Sequence, residues 1–413
     1  MNSEPRRIPA FVERLLLLVG SPLLFLLLAE AAIAITGIDT DVARNDSAQI
    51  AVPVWLLADE AWVADRRSKW RREGDTPIAA AELEWLYHFE EARWIGYKMK
   101  PGVDVVAINP FNAVERDKRI TFRLRSNDSG FRDRSFGPRA AGTVRIITLG
   151  DSSTFGWGVN PEQTFQRLLE ERLNDGSGPR FEVLNLGIPG HNSRHGLGML
   201  RHYALTLEPD ILIFAYGAND PRRVPTPTDI SLAGDNTMLA GIRYGLLNLR
   251  TYRLLRRIVF SARDPLRPGK AERQTVAAVP LADFEANLRE FHELTGAADA
   301  KTILMSVCTG ERRYAATMRN VADELGIGAL DVRQVFSENI DALEAGTLYP
   351  DLVEKYRERY GALFNERRAY AVTSDGCHPH WVGHSLIADE LVPLVRSALG
   401  QPATTPAEPG EVQ

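Results

Sequence analysis

The sequence predicts an α/β domain over residues 141–400, with a parallel sheet covered by helices and an apolar segment near the N-terminus. From Thr143 onward, short apolar runs alternate with amphipathic segments, a pattern typical of successive strand–helix units. Polar clusters follow several of these apolar runs, which is where open α/β sheets place their chemistry. The N-terminal segment, Leu15 to Thr36, contains Glu30 as its only charged residue.

The N-terminal segment is long enough to cross a bilayer. Its 22 residues would span about 33 Å as a helix. Basic residues precede it (Arg6, Arg7 and Arg14) and acidic residues follow it (Asp39 and Asp41), which favours an N-in orientation with the bulk of the chain translocated. We therefore predict a cytoplasmic N-terminus at 1–14 and a transmembrane anchor at 15–36.

A cleaved signal peptide is the main alternative for this segment. Its apolar region would be Leu15 to Leu28, and Ala29-Glu30-Ala31 or Ala32-Ile33-Ala34 resembles a cleavage site. A helix buried in a soluble protein is the third interpretation. Glu30 argues against a simple lipid-facing span, since a carboxyl group within the membrane is costly unless it is paired or near the interface.

Composition excludes several classes of protein. The net charge of −5 lacks the basic signature of nucleic-acid binding. Two cysteines, Cys308 and Cys377, are too few for a disulfide framework or a cysteine-based zinc site. The histidines lack a metal spacing such as H-E-x-x-H, so we expect neither a metal nor a cofactor.

Residues 37–140 form a predicted N-terminal extension. Five of the seven tryptophans lie between residues 55 and 94, and we expect them to pack the extension onto the main domain rather than line a membrane interface or a binding groove. Ala79 to Tyr97 has the spacing of an amphipathic helix, and Phe122 to Arg134 resembles a strand followed by a turn. The tail at 401–413 is predicted to be disordered.

Within the domain, the elements follow in order. The predicted strands are Val144–Leu149, Phe181–Leu186, Ile211–Tyr216, Thr302–Val307 and Ala329–Val332. The predicted helices are Phe165–Leu173, Asn192–Leu207, Ala282–Gly296, Arg312–Leu325, much of 333–370 and Val382–Leu399. Residues 221–280 break the alternation with six prolines, and we interpret them as an insertion beside the carboxyl edge of the sheet.

Four polar clusters should meet at that edge. They are Gly150 to Ser153, Asn185 to Ser193, Tyr216 to Asp220, and Asp375 to His380. A serine hydroxyl is a poor nucleophile unless a base, usually histidine, is oriented beside it by a carboxylate. Ser152, His378 and Asp375 supply these three groups. Backbone N–H groups at glycine turns and the amide of Asn219 could stabilise an oxyanion.

These clusters resemble the SGNH/GDSL hydrolases, whose four blocks occur here in order as Gly150-Asp151-Ser152-Ser153, Asn185 to Gly190, Gly217-Ala218-Asn219-Asp220 and Asp375-Gly376-Cys377-His378. The resemblance implies a flavodoxin-like three-layer α/β/α sandwich. It implies Ser152 as nucleophile, His378 as base, Asp375 as orienting partner, and an oxyanion hole of Gly190, Asn219 and the Ser152 amide. Gly190 is preferred to Gly187 because it directly precedes the polar start of the next helix.

The same resemblance bears on location. Phe122 to Trp157 is similar to membrane-anchored bacterial members of the family. Cys377 lies inside the catalytic loop and Cys308 just beyond the fourth strand; in an oxidising compartment the two could form a disulfide, or both could remain free thiols. Of the other histidines, which we expect to be surface or capping residues, only His191 is close enough to the pocket to suggest a contact with substrate.

We therefore expect an extracytoplasmic serine esterase acting on acyl esters of cell-envelope carbohydrate. Three alternatives stay open: an esterase acting on lipids, an O-acyltransferase with the same triad, and a non-catalytic glycan-binding protein.

Overall fold

The computed structural model describes residues 16–36, 89–92, 94–108, 121–174, 178–225, 246, 249–252, 254–255, 275–308, 311–360, 372–373 and 376–402. The chain divides into two compact units: Met1–Glu73 with Asn236–Ala271, and Gly74–Asp235 with Glu272–Gln413. The central part of the predicted insertion therefore groups with the N-terminal residues. The domain boundaries given above stay predictions.

The first unit contains one long apolar helix. A π-helical turn, Leu16–Gly20, leads into helix α1, Ser21–Thr36. Within the described residues, Leu17–Thr36 is the helix that is long and apolar enough to cross a membrane, a test that a signal sequence also passes. Its large side chains are mostly exposed, as Leu18 and Ile35 illustrate at 77% and 85%.

The N-terminal extension contributes two antiparallel strand pairs to the second unit. Strands β1 (Phe89–Ala92) and β2 (Gly96–Met99) form one pair, and β3 (Asp104–Ile108) and β4 (Thr121–Arg125) form the other. The helix predicted at Ala79 to Tyr97 is therefore wrong from Phe89 onward; the earlier residues lie outside the described part. Trp94 and Gly96 adopt positive φ angles, which ends any helix and closes a tight turn.

Of the five tryptophans predicted to pack the extension onto the main domain, Trp94 does so, whereas Trp55, Trp62, Trp70 and Trp85 lie outside the described residues. Phe89 is buried against Phe155, with ring centroids 6.3 Å apart. Trp94 stacks on His202 with centroids 4.3 Å apart.

A five-stranded parallel sheet forms the centre of this unit. The remaining strands are β5 (Thr143–Gly150), β6 (Arg180–Asn185), β7 (Ile211–Ala215), β8 (Arg223–Pro225), β9 (Thr275–Ala277), β10 (Lys301–Ser306) and β11 (Gly328–Asp331). The order in the sheet is β11-β10-β7-β5-β6, and every neighbouring pair is parallel. The order reverses between β5 and β7, and α/β sheets of this kind bind ligands at such a switch point.

Helices cover both faces of the sheet. They are α2 (Ser152–Phe155), α3 (Phe165–Leu173), α4 (Ser193–Met199), α5 (Leu281–Ala297), α6 (Arg312–Leu325), α7 (Val332–Glu344), α8 (Pro350–Tyr360) and α9 (Trp381–Ala398). Helix α4 continues through a π turn and a 3₁₀ turn to Leu207. Helices α3, α7, α8 and α9 share one apolar core with the sheet; α4, α5 and α6 contact one another in turn. The predicted three-layer α/β/α fold is confirmed.

Alternating side chains of the strands build the two cores. In β10, Ile303 and Met305 belong to the core beneath α9. On the opposite face, Phe214 of β7 packs on Phe291 of α5 with ring centroids 4.1 Å apart. Because successive residues of a strand point to opposite faces, a wholly apolar run such as β7 is required at the centre of the sheet.

The insertion leaves the second unit next to the end of β7. Strands β8 and β9 pair antiparallel and bring its two ends together. Beyond this pair, the N–H groups of Ala278 and Val279 donate to the carbonyls of Arg222 and Asp220, each at 2.9 Å. The base of the insertion is therefore fastened directly to the third polar cluster.

Candidate active site

Ser152 lies at the sharp turn between β5 and α2. Asp151 caps α2 by accepting the N–H of Ser153 at 2.9 Å. A side chain at Gly150 would collide with Thr154 and with the carbonyl of Ala215, so only glycine allows the strand to turn this tightly. Ser152 itself is only partly buried, which leaves the hydroxyl accessible at the carboxyl edge of the sheet.

His378 contacts this serine directly. Its Nε2 lies 2.7 Å from the Ser152 Oγ, within hydrogen-bonding distance. The histidine precedes α9 in a loop that is held at two points: Pro379 bridges to Thr373, and the N–H of His380 donates to the Val372 carbonyl at 2.8 Å. The third predicted member of the triad, Asp375, lies outside the described residues.

A disulfide also braces the His378 loop. Cys377, next to the histidine, is bonded to Cys308 just beyond β10, and the two Cα atoms are 4.9 Å apart. The bridge was one of two possibilities in the sequence, and the structure contains it. It ties the loop to a central strand of the sheet.

The structure brings the predicted oxyanion-hole residues Gly190 and Asn219 to neighbouring loops. The Asn219 side-chain amide donates to the backbone carbonyl of His191, directly after Gly190, at 3.0 Å. The Ile188 N–H donates to the Gly150 carbonyl at 3.0 Å, which holds the same loop against the Ser152 turn. Gly190 has a φ of 82°, where residues with a side chain are strained.

The two candidate glycines differ in what surrounds them. A side chain at Gly187 would collide with the backbone of Phe155, so this glycine allows two loops to pack closely. A Cβ at Gly190 would lie 2.5 Å from the Tyr97 hydroxyl. The preference for Gly190 in the oxyanion hole stays a prediction.

Asp220 is a buried carboxylate that accepts hydrogen bonds from two loops at the same edge of the sheet. It accepts the N–H groups of Ser193 and Gly217, both at 3.0 Å, and the Ser193 hydroxyl. Burial raises the pKa of Asp220 to about 6, and burial likewise raises the pKa of Asp151 to about 6 although the nearby His378 lowers it. Asp220 therefore fixes both the turn before Asn219 and the start of α4.

Arg132 is a buried residue whose role sequence reasoning missed. Its guanidinium donates to four backbone carbonyls: Phe155 at 2.8 Å, Gly156 at 2.7 Å, Arg123 at 3.1 Å, and Val159. Burial lowers the pKa of Arg132 to about 9. Three of the four carbonyls belong to the turn that follows the Ser152 helix, so this side chain anchors that turn. Its only signal in the sequence is its position beside the Gly130-Phe131 turn.

Tyr97 of the β1–β2 hairpin supports the Gly190 loop. Its hydroxyl donates to the carbonyl of Pro189 at 2.5 Å, and burial raises its pKa. The Tyr97 carbonyl lies 3.1 Å from Nε2 of His191. Sequence reasoning missed this contact because the hairpin was assigned to a helix.

Two histidines near the site differ from expectation, whereas His195 and His380 lie at helix N-termini as predicted for capping residues. His191 is fully buried and stacks on His195 with centroids 4.5 Å apart, so the predicted substrate contact of its side chain is wrong. Burial lowers the pKa of His191 well below its usual value, which keeps the ring neutral. His384 is also a core residue rather than a surface one; it accepts the Phe165 N–H at 3.2 Å.

The chain matches a known protein family over the region that contains this site. The sequence pattern of the GDSL-like Lipase/Acylhydrolase family matches residues 148–386, which include Ser152, Gly190, Asn219 and His378. No functionally curated protein sequence matches the chain.

Several solved structures are similar to it. One is LAE5, an alpha/beta hydrolase enzyme from the metagenome of Lake Arreo, Spain (17% identity, TM-score 0.36, covering 63% of this chain and 97% of that one). Another is the esterase EstA from Pseudoalteromonas sp. (15%, 0.37, 62% and 99%). A third is the acetylxylan esterase Axe2 from Geobacillus stearothermophilus (14%, 0.36, 66% and 100%).

The family match covers more than half of the 413 residues. The chain therefore belongs to the GDSL-like lipase/acylhydrolase family and is a hydrolase that acts on ester bonds.

Proposed function

We propose that the chain is a membrane-anchored, extracytoplasmic serine esterase that removes acyl groups from cell-envelope carbohydrate through an acyl-enzyme on Ser152. The 2.7 Å contact between the Ser152 Oγ and the His378 Nε2 is the observation that carries this proposal. A hydroxyl becomes an effective nucleophile when a base at this distance accepts its proton.

In the proposed mechanism, His378 takes the Ser152 proton while Oγ attacks the ester carbonyl. The tetrahedral oxyanion is stabilised by N–H groups of Ser152 and Gly190 and by the Asn219 amide. His378 then protonates the leaving alcohol, and the acyl group stays on Oγ. Water, deprotonated by His378, releases the acid and restores the serine. Asp375 orients the imidazole and stabilises its charged form.

The proposed location is supported by two features. Leu17–Thr36 is long and apolar enough to cross a membrane. The Cys308–Cys377 disulfide is typical of proteins in oxidising compartments outside the cytoplasm. Both are expected if the N-terminus stays inside and the hydrolase unit is translocated.

The choice of carbohydrate esters is supported by this location, since an extracytoplasmic domain held at the membrane can reach the acyl esters of cell-envelope carbohydrate. The segment from Trp55 to Trp94 is also rich in arginine, a side chain that suits anionic groups. Lipid esters are the second candidate substrate.

Labelling with a fluorophosphonate probe tests the nucleophile. The full-length protein should be labelled, and the variant Ser152→Ala should not be, while its melting temperature stays unchanged. Ser153→Ala is a matched control because Ser153 is buried beside the nucleophile and its Oγ has no hydrogen-bond partner within the described residues. Labelling of Ser152→Ala at the wild-type rate would assign the reactive serine to another position and exclude Ser152, whereas absence of labelling in the wild type would favour a non-catalytic glycan-binding protein.

The substrate is then tested with esters of different chain length. Preference for acetylated sugars over long-chain esters supports carbohydrate deacylation, whereas the reverse preference identifies a lipid esterase. Product analysis with an acyl donor and added glycans separates hydrolysis from O-acyl transfer, because a transferase forms acylated glycan where a hydrolase forms free acid.

A further inference from the structure

Arg222 is an exposed arginine in the loop after β7, three residues beyond Asn219. Its backbone is held at both polar groups. The N–H donates to the Asn219 carbonyl at 3.2 Å, and the carbonyl accepts the N–H of Ala278 at 2.9 Å. A turn closed in this way keeps the Cα atoms at its two ends within about 7 Å of each other. The guanidinium therefore extends from a fixed point beside the predicted oxyanion hole.

The charge of Arg222 also lies near the Gly190 loop. Burial raises the pKa of the Tyr97 hydroxyl, and the positive charge of Arg222 partly opposes this rise, as a nearby cation does. The same hydroxyl donates to the carbonyl of Pro189 at 2.5 Å, and Pro189 directly precedes Gly190. Arg222 thus places a positive charge beside both loops that are predicted to bind the oxyanion, the one with Gly190 and the one with Asn219.

Arg222 has no acidic partner among the residues that the structure describes. The carboxylate closest to it in the sequence, Asp220, is buried and accepts the N–H groups of Ser193 and Gly217 instead. A guanidinium matches the geometry of a carboxylate or a phosphate and binds either through two parallel hydrogen bonds. An unpaired guanidinium beside an ester-cleaving site is therefore suited to an anionic group of the substrate.

We propose that Arg222 determines substrate specificity by binding a carboxylate or phosphate group on the sugar whose acyl ester Ser152 cleaves. The inference rests on the proposed function and narrows its carbohydrate to an acidic one. Because one turn separates Arg222 from Asn219, the anionic group belongs to the acylated sugar or to its neighbour. The chain as a whole carries a net charge of −5, so attraction of an acidic polymer requires a local positive charge of this kind.

A structural role of the Arg222 side chain would require a contact with the rest of the protein. The hydrogen bonds that fix this residue come from its backbone, and they remain when the side chain is replaced. The guanidinium is exposed and donates to no group of the described residues. Its substitution should therefore change the choice of substrate and leave the melting temperature within about 2 °C of the wild type.

Selectivity between matched acetylated sugars tests the proposal in the full-length protein. Acetylated glucuronic acid and acetylated glucuronamide differ in charge but hardly in shape, and they test the carboxylate. Glucose 6-phosphate and glucose, each acetylated at the same ring hydroxyl, test the phosphate. In the wild type, kcat/KM should be about 10- to 100-fold higher for the anionic member of one pair, and that pair identifies the group that is bound.

Three variants assign this preference to one side chain. Arg222→Gln should bring the ratio of the two kcat/KM values close to 1, mainly through KM, because the anionic group is bound equally before and during the reaction. Arg222→Lys should give an intermediate ratio, since an ammonium keeps the charge but not the planar fork. Arg180→Gln is the matched control. Arg180 is exposed at the start of β6, at the opposite edge of the sheet, and its variant should keep the wild-type ratio.

Fluorophosphonate labelling counts the active sites in each sample and keeps the two proposals distinct. In a labelled protein, a wild-type ratio near 1 would overturn the role of Arg222, and so would an unchanged ratio in Arg222→Gln. Turnover of long-chain esters but of no acetylated sugar would overturn it as well. A preference for a succinylated neutral sugar would place the anionic group on the acyl side and contradict the assignment to the sugar. A wild-type protein that is not labelled would refute the esterase itself.

Discussion

Replacement of Arg132 by Met tests whether one buried guanidinium holds the turn behind the nucleophile. Met keeps much of the side-chain volume but removes every donor to the four backbone carbonyls, three of which lie between Phe155 and Val159. Arg132→Lys keeps the charge but loses the planar fork, which a single ammonium cannot reproduce. Arg125, exposed on β4, offers the matched control Arg125→Met.

The expected magnitude follows from the number of carbonyls that lose their donors. A hydrogen bond from a charged donor contributes about 1.5–3 kcal/mol, but the wild type also bears the cost of burying the guanidinium, which the substitution relieves. Each buried carbonyl that loses its donor costs about 1–3 kcal/mol, so four such losses, less the relieved burial of the charge, give a net cost of about 3–5 kcal/mol. We expect this loss for Arg132→Met, about half of it for Arg132→Lys, and less than about 0.5 kcal/mol for Arg125→Met.

Thermal unfolding and probe labelling together provide the assay. For a domain of this size, about 2–4 °C is lost per kcal/mol, so Arg132→Met should melt about 6–20 °C below the wild type. Its fluorophosphonate labelling should also slow at temperatures where it remains folded, because the Ser152 turn is less rigid. An Arg132→Met protein that melts within about 2 °C of the wild type would refute the reasoning.

Two other substitutions and the reduction of the disulfide test separate contacts. Tyr97→Phe removes the hydroxyl that donates to the Pro189 carbonyl; we expect slower probe labelling and a loss of about 1 kcal/mol in unfolding experiments. Reduction of the Cys308–Cys377 bridge, which closes a separation of 69 residues, should lower the free energy of unfolding by about 4 kcal/mol and reduce esterase activity. As a control, the variant with both cysteines replaced by serine should not respond to reductant. Burial raises the pKa of Asp133 from 3.8 to about 7, so protonation favours the folded state and this group makes stability fall as pH rises across that range. Asp133→Asn should remove this fall, and melting temperatures measured from pH 4 to pH 8 that change equally in both proteins would contradict it.

The sheet and its helices could be predicted because their signals are local. Central strands such as β7 are apolar throughout, and helices such as α3 begin and end at residues with clear preferences. The Ser152 turn could also be placed because its glycine and hydroxyl residues directly follow a strand. The hairpin at Phe89 to Met99 could not, since aromatic residues at nearly helical spacing are equally compatible with a strand pair whose turn depends on two positive φ angles.

Residues that act through long-range contacts are the second class that the sequence could not reveal. Arginine is a residue type that usually lies at the protein surface. Only the tertiary fold shows that Arg132 is 3% exposed. Glu30 was identified as costly in a membrane, but its partners Arg250 and Thr251 follow 220 and 221 residues later. No periodicity in the sequence connects positions so far apart.

Arg132 and Tyr97 bear on where the functional unit begins. Both precede residue 148, where the family match starts, and both support loops that contain predicted catalytic residues. A side chain at Gly190 would meet the Tyr97 hydroxyl, so the conformation of this loop depends on a hairpin that the family pattern does not include. The compact unit begins at Gly74, well before the predicted boundary at residue 141. We therefore expect a protein that starts at residue 141 to lose probe labelling although all four motifs are present.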